Sequence, residues 1–339
     1  MEVIPLVSSK DVAKLAGVSQ ATVSRVLNTP DLVKKPTLEK VQRAINDLNY
    51  IPNAQARSLV QNKSRTIALL SGPLHNPFFV DTTTAIVNYA SQMDYRIQVQ
   101  FVNDHKLNDA YTIALEHKVD GIILSCILND DPIFEKLKRM NVPFITYNRK
   151  HQNNEYFVEI DNYEAGYLSA KHMIDQGHEL IAWVGGPQNF STFYHRFQGF
   201  SQALKDERIG LKPEYIFNTD TTSTDISASF HQLMNLKNPP SAICAGSDSL
   251  ALNVMDNAIS MGLEVPKDVS IIGIDNVDLS SHGSIQLTTV GSISGRNLGH
   301  LAIQKLIDMI ENKNNSCVKI TEPVKIFPRS TTSQKVKQT

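Results

Sequence analysis

Cysteine is scarce in this chain of 339 residues: Cys126, Cys244 and Cys317 stand far apart, with no CxxC pair. That spacing argues against a disulfide framework or a cysteine-based zinc site and suits a reducing compartment. No run of about 18 apolar residues is present to span a bilayer. The N-terminus lacks the basic, apolar and small-residue succession of a signal peptide, so a cytoplasmic protein without membrane contact is expected. Phosphate-binding loops are missing too: Gly185-Gly186-Pro187 is not GxGxxG, and GxxxxGK[ST] does not occur. Gly246-Ser247-Asp248 lacks the GxSxG of a nucleophile elbow. His172 and His178 have no carboxylate or cysteine at metal-ligand spacing. No catalysis, cofactor or metal is expected.

What is present is uneven. Residues 1–63 carry nine Lys/Arg against five Asp/Glu, a net +4; with a total of −1, the other 276 residues carry −5. A basic head on a mildly acidic body suits contact with a polyanion at one end, although charge alone is equally compatible with chance. The length exceeds one core, so two or three compact units are expected.

In the head, Ser8 and Asp11 fit a capping pair. A helix over about 9–16 would bury Val12 and Leu15 beside Ala13 and Ala16, and Gly17 suits a left-handed stop. Ser19 can cap a second helix over 20–28, packed through Val23, Val26 and Leu27. A third, over about 36–47, brings Val41, Ala44, Ile45 and Leu48 to close a three-helix core. Two helices separated by so short a turn form a helix-turn-helix unit. Its second helix shows Gln20, Ala21, Thr22, Ser24 and Arg25 outward, groups that reach base edges and phosphates in a major groove. A solvated helix surface would have the same pattern.

After Tyr50-Ile51-Pro52, Asn53 can cap a helix of about eight residues whose apolar edge is Ala54, Ala56 and Leu59. Such a helix is marginal alone, because nucleation is costly. The stretches KDVAKLAGVSQATVSRVLN (10–28) and LNYIPNAQARSL (48–59) resemble the headpiece of the LacI/GalR family of transcription regulators, and the resemblance continues through the rest of the chain. It implies DNA contacts from Ser19, Gln20, Ala21, Thr22, Ser24, Arg25, Asn28 and Thr37, with Asn53, Ala56 and Leu59 in a hinge helix that pairs with its twin in the minor groove. Leu59 would then wedge into the central base step; otherwise the segment is a plain linker. Lys34 stands where the family usually has a serine opening the third helix.

From residue 66 on, TIALLSG, RIQVQFV, DGIILSC, VPFITYN, ELIAWVGG, AICAGSD and VSIIGID are short apolar runs. They alternate with amphipathic stretches such as 79–93, 162–176, 193–207 and 249–261. The fold class is therefore α/β with parallel sheets, behind an all-α headpiece. LTTVGSISGRNLGHLAIQKLIDMI (287–310) reads as a return crossing and a helix, 319–328 as strand-like, and the last residues as frayed. The resemblance implies a two-lobed periplasmic-binding-protein-like domain. The expected division is headpiece 1–52, hinge 53–64 and effector and dimerisation domain 65–339. Its first lobe is about 65–160 with 291–318, and its second 161–290 with 319–339.

Ligands in open α/β sheets lie off the carboxyl ends of strands. Those ends carry Ser71, Asn76, Phe79, Asn148, Arg149, Ser247, Asp248 and Asp275, and the helix carrying HRFQGF adds Arg196. Guanidinium and carboxylate groups grip paired hydroxyls, and an aromatic ring covers a sugar's apolar face. On the resemblance, Arg196 and Asp275 match the family's principal effector ligands, with Phe79, Asn148, Ser247 and Ser292 nearby; the bland alternative is an ion pair between lobes. Asn148 replaces a common aspartate and Ser292 a frequent glutamine, so an altered pocket is expected. The resemblance implies a dimeric repressor on a pseudo-palindromic operator, controlled allosterically by a sugar or sugar derivative. Rival readings are control by a phosphorylated protein corepressor, or a sugar-binding module or enzyme with an unrelated basic head.

Overall fold

The structure, a computed structural model, describes residues 7–51, 63–102, 107–116, 118–140, 142–312 and 317–335. The chain divides into two compact units, Met1–Arg65 and Thr66–Thr339. The first contains α1 (Ser9–Ala16), α2 (Gln20–Asn28) and α3 (Lys35–Asp47). The Ser8 N–H and hydroxyl both donate to the Asp11 carboxylate, at 2.9 and 2.7 Å. These bonds hold Asp11 below the usual carboxylate range and fix the start of α1. The helix stops at Gly17, whose φ of +64° is one that glycine adopts at little cost. Ser19 then accepts the Thr22 N–H at 3.1 Å and starts α2. Lys34 provides no side-chain cap for α3, and Pro36 presets its first turn instead.

Val12, Ala13, Val23, Val26, Val41 and Ala44 form the headpiece core. Leu15, expected inside, is 54% exposed. The inward stripe of α1 is Val12, Ala13 and Ala16, and Leu15 lies about 100° round the helix from its centre.

The second unit holds two six-stranded sheets. The first has the order β11-β5-β4-β3-β1-β2, from Val318–Glu322, Tyr156–Ile160, Phe144–Tyr147, Gly121–Leu124, Thr66–Ser71 and Arg96–Phe101. The second runs β12-β10-β9-β8-β6-β7, from Val324–Phe327, Thr289–Ser292, Ser270–Ile274, Ala242–Ala245, Ile181–Gly185 and Ile216–Asn218. All pairings are parallel except β10 with β12. The helices are α4 (Pro77–Gln92), α5 (Leu107–Glu116), α6 (Ile133–Arg139), α7 (Asn162–Asp175), α8 (Ser191–Asp206), α9 (Ser223–Met234), α10 (Asp248–Ser260) and α11 (Leu298–Asn312).

Two expectations need correcting. The stretch 319–328 is not one strand: β11 lies in the first sheet and β12 in the second, with Pro323 between them. Proline lacks the N–H that a continuous strand would need there. Nor does the tail fray at once, since backbone bonds join Thr331 to Ile271, Ser330 to Gln286 and Lys335 to Gln176. Thr289–Ser292 forms strand β10, and the return crossing follows it.

In each sheet the chain reverses its winding beside one strand: β1 lies between β2 and β3, and β6 between β7 and β8. A crevice opens off the carboxyl ends at such switch points. Ser71 and Ser125 end β1 and follow β3 at one; Gly185 and Gly246 mark the other.

Candidate functional site

On the headpiece, Ser19, Gln20, Ala21 and Arg25 are exposed, and Thr22, Ser24, Asn28 and Thr37 half-buried. The Ser19 and Thr22 hydroxyls lie 2.9 Å apart. Gln20 donates through Nε2 to the Ser9 hydroxyl on α1 at 2.9 Å, and Asn28 donates to Ser24 at 3.2 Å. These bonds restrain side chains on the face that would meet DNA. Asn53, Ala56 and Leu59 lie outside the described residues.

In the second unit a cavity of about 180 Å³ separates the lobes. Phe78, Asp81, Thr82 and Ile160 line it from the first lobe, and Asp275 to Asp278 from the second. Ser292 and Gly295 to Leu298, at the end of β10 and on the crossing that follows it, complete the wall. Phe78 stacks on Tyr147 with ring centroids 6.3 Å apart.

Arg196, on the second turn of α8 and 1% exposed, spends its guanidinium on three acceptors. Nε meets Asn162 Oδ1 at 2.9 Å, Nη1 the Gly246 carbonyl at 2.7 Å, and Nη2 the Asp275 carboxylate at 2.7 Å. All three partners belong to the second lobe. The ion pair is therefore no strut between lobes and lies inside one of them. Burial raises the Asp275 pKa, while Arg196 and Arg149 oppose the shift.

Asp275 has φ +132° and Asn276 +53°, conformations that side-chain-bearing residues seldom hold unless their surroundings enforce them. Asp248 supplies part of that enforcement. Fully buried, it accepts the Val277 N–H at 3.0 Å with one oxygen and the Thr289 hydroxyl with the other. Burial and the Asp275 charge push its pKa up to about 7. Asp248 therefore supports the cavity turn from behind, whereas the sequence placed it on the ligand.

Other expected residues fall differently as well. Phe78 lines the cavity; Phe79 packs over Gly72, where a Cβ would stand 2.2 Å from its ring. Asn76 and Ser247 spend their side chains capping α4 and α10. Asn148 offers its carbonyl to the Thr192 hydroxyl of the other lobe at 2.6 Å. Arg149 lies 3.6 Å over the Phe190 ring, another contact between lobes. The Ser71 hydroxyl and the Asn148 side-chain oxygen are buried without a well-formed hydrogen bond. Ser292 reaches Glu322 at 3.3 Å.

Asn276, which follows Asp275 at the strand end, lines the cavity with it, whereas Asp81, Thr82, Asp278, Arg296 and Asn297 are lining residues the sequence did not indicate. For Asp81 and Thr82 the signal was available: they follow Phe78 by three and four residues, so one helical face carries all three. The Asp278 N–H donates to Asp81 across the lobes at 3.0 Å. Burial raises the Asp81 pKa.

Residues 9–53 match the family model "Bacterial regulatory proteins, lacI family", and 170–332 match "Periplasmic binding protein-like domain". A relative named HTH-type transcriptional repressor PurR, from Aliivibrio salmonicida (strain LFI1238), is 34% identical over 310 residues, covering 90% of this chain and 93% of its own. The chain belongs to the LacI family.

Among solved structures, the lac repressor dimer bound to operator and the anti-inducer ONPF aligns with a TM-score of 0.83 at 27% identity, covering 97% of this chain and all of the other. The transcriptional regulator CelR–cellobiose complex gives 0.70 at 26% identity, with 96% and 99% covered. This LacI-family chain is a DNA-binding transcriptional repressor whose headpiece carries the helix-turn-helix. No described helix is long and apolar enough to cross a membrane.

Proposed function

We propose that this LacI-family repressor acts in the cytoplasm as a homodimer, without catalytic activity, and senses a neutral polyhydroxylated ligand such as a sugar in the inter-lobe cavity. The supporting observation is the chemistry of that cavity's wall. Asp81, Asp275 and Asp278 offer carboxylates, Thr82, Ser292, Asn276 and Asn297 offer neutral polar groups, and Phe78 offers a ring face. Carboxylates accept from vicinal hydroxyls and repel phosphate. Arg296 is the one cation among the lining residues, and it already faces Glu322 at 3.8 Å.

In this reading two headpieces contact half-sites of a pseudo-palindrome through Ser19, Gln20, Ala21, Thr22, Ser24, Arg25, Asn28 and Thr37. The hinges, with Asn53, Ala56 and Leu59, meet at its centre. Ligand binding favours one lobe arrangement, and coupling of about 1–3 kcal/mol changes operator affinity roughly 5- to 150-fold.

The test is calorimetry on the full-length protein with cellobiose, other neutral sugars and their phosphate esters. Anisotropy titrations would follow, on a duplex selected from a random pool. Heat from a neutral sugar, with a matching change in operator affinity, is expected. Tighter binding of phosphate esters than of every neutral sugar would refute the assignment.

A further inference from the structure

The turn Asp275–Asp278 in the cavity wall is held largely by groups that do not line the cavity. Asn276 is pressed against Gly291, where a Cβ would lie 2.4 Å from the Asn276 Cβ. The Asn276 and Val277 N–H groups are taken by Thr289 and Asp248. One further support comes from beyond the last strand. Arg329 donates through Nη2 to Asn276 Oδ1 at 2.6 Å, and through Nη1 to the Leu287 carbonyl at 2.6 Å and the Ser280 hydroxyl at 3.1 Å. Ser280 in turn donates to the Val277 carbonyl at 2.6 Å. One planar guanidinium thus spans both sides of the turn, at its left-handed residue and at the helical segment that follows.

We infer that Arg329 is a positioning residue for the effector cavity: it holds the Asp275–Asp278 turn in the conformation that presents Asp275 to the ligand and the Asp278 N–H to Asp81. The inference rests on the effector-site reading above for its functional meaning. The anchor itself is held in place, since the Arg329 N–H donates to the Thr288 hydroxyl at 3.0 Å and Thr331 bonds both Ile271 and Thr288. The fixed fork is what the geometry uses. Lysine, a point charge with a single nitrogen, cannot reach Asn276 and the Leu287 carbonyl together in the same way.

Amide hydrogen exchange on the full-length protein, without ligand, tests this. For Arg329→Lys, exchange across 275–281 should rise roughly tenfold or more, as expected when anchoring hydrogen bonds are lost. Protection in β6 and β8 and in the headpiece should stay unchanged. An arginine with a merely structural role would lower protection throughout the second sheet in step with Tm, which would overturn the inference. So would unchanged exchange at 275–281. If the lysine variant does not fold, Arg329→Gln is measured in the same way; global unfolding of both variants would mark Arg329 as a fold residue and also refute the positioning role. Because the experiment needs no effector, its failure is separate from failure of wild-type protein to bind any sugar.

Discussion

Replacing Arg196 with glutamine tests the central electrostatic arrangement. The guanidinium meets Asn162, Gly246 and Asp275 within 2.9 Å at a site 1% exposed. Its loss leaves a buried carboxylate and two carbonyl oxygens short of donors, and breaking a buried ion pair in this way costs about 3–5 kcal/mol. For a unit of this size, each kcal/mol moves Tm by roughly 2–4 °C, so a drop of about 6–20 °C is expected at neutral pH. The pH dependence gives a sharper check. Burial raises the folded-state pKa of Asp275 above its unfolded value, and Arg196 opposes that rise. Without Arg196 the pKa climbs further. A carboxyl with a raised folded-state pKa contributes its stability below the unfolded pKa and loses it as pH climbs through the folded one. The deficit relative to wild type should therefore be smaller near pH 5, where the two carbonyls that lose their donors still contribute, and grow toward pH 8 in scanning calorimetry. An equal deficit at both ends, or one below about 1 kcal/mol at pH 8, would refute the reasoning.

Two further outcomes follow from close packing and from Asp248. A Cβ at Gly199 would stand 1.9 Å from the Tyr163 carbonyl oxygen. Gly199→Ala must therefore push α7 from α8, and should cost about 3 kcal/mol or more in urea titrations; Gly283→Ala, which faces open space, should change stability by no more than about 0.5 kcal/mol. Asp248, with its pKa pushed up to about 7, loses its stabilising contribution as pH rises through that value. Asp248→Asn should therefore flatten the decline of Tm between pH 5 and 8, and parallel curves would exclude this origin.

Legibility in the sequence followed the range of the interactions. Caps, stops and inward stripes of the headpiece depend on neighbours three or four residues away, so Ser8–Asp11, Gly17 and Ser19 could be placed without the fold. Leu15 escaped because a two-turn helix shows too little periodicity to fix its face. The buried apolar strands of the body were recognisable as runs. Strand β5 begins Tyr-Phe-Val-Glu and β7 spans three residues, and both are too short or mixed to register. The cavity was harder still. Arg196 and Asp275 came from family resemblance, and no spacing in the chain indicates that they meet. Whether Phe78 or Phe79 faces the ligand depends on Gly72 lying beneath one of them. That Asp248 turns inward depends on Thr289 and Val277, both far along the chain.

Pro323 is the one residue separating β11 from β12, and its carbonyl accepts the Ile293 N–H at 2.8 Å from the neighbouring crossing. A tether of such shortness, with φ locked by its ring, stores no slack. Any swing of one lobe against the other must be taken up by a few backbone torsions beside it, which favours pivoting about that point over sliding. Lengthening the tether by inserted glycines would leave both sheets intact while weakening the transmission of lobe movement.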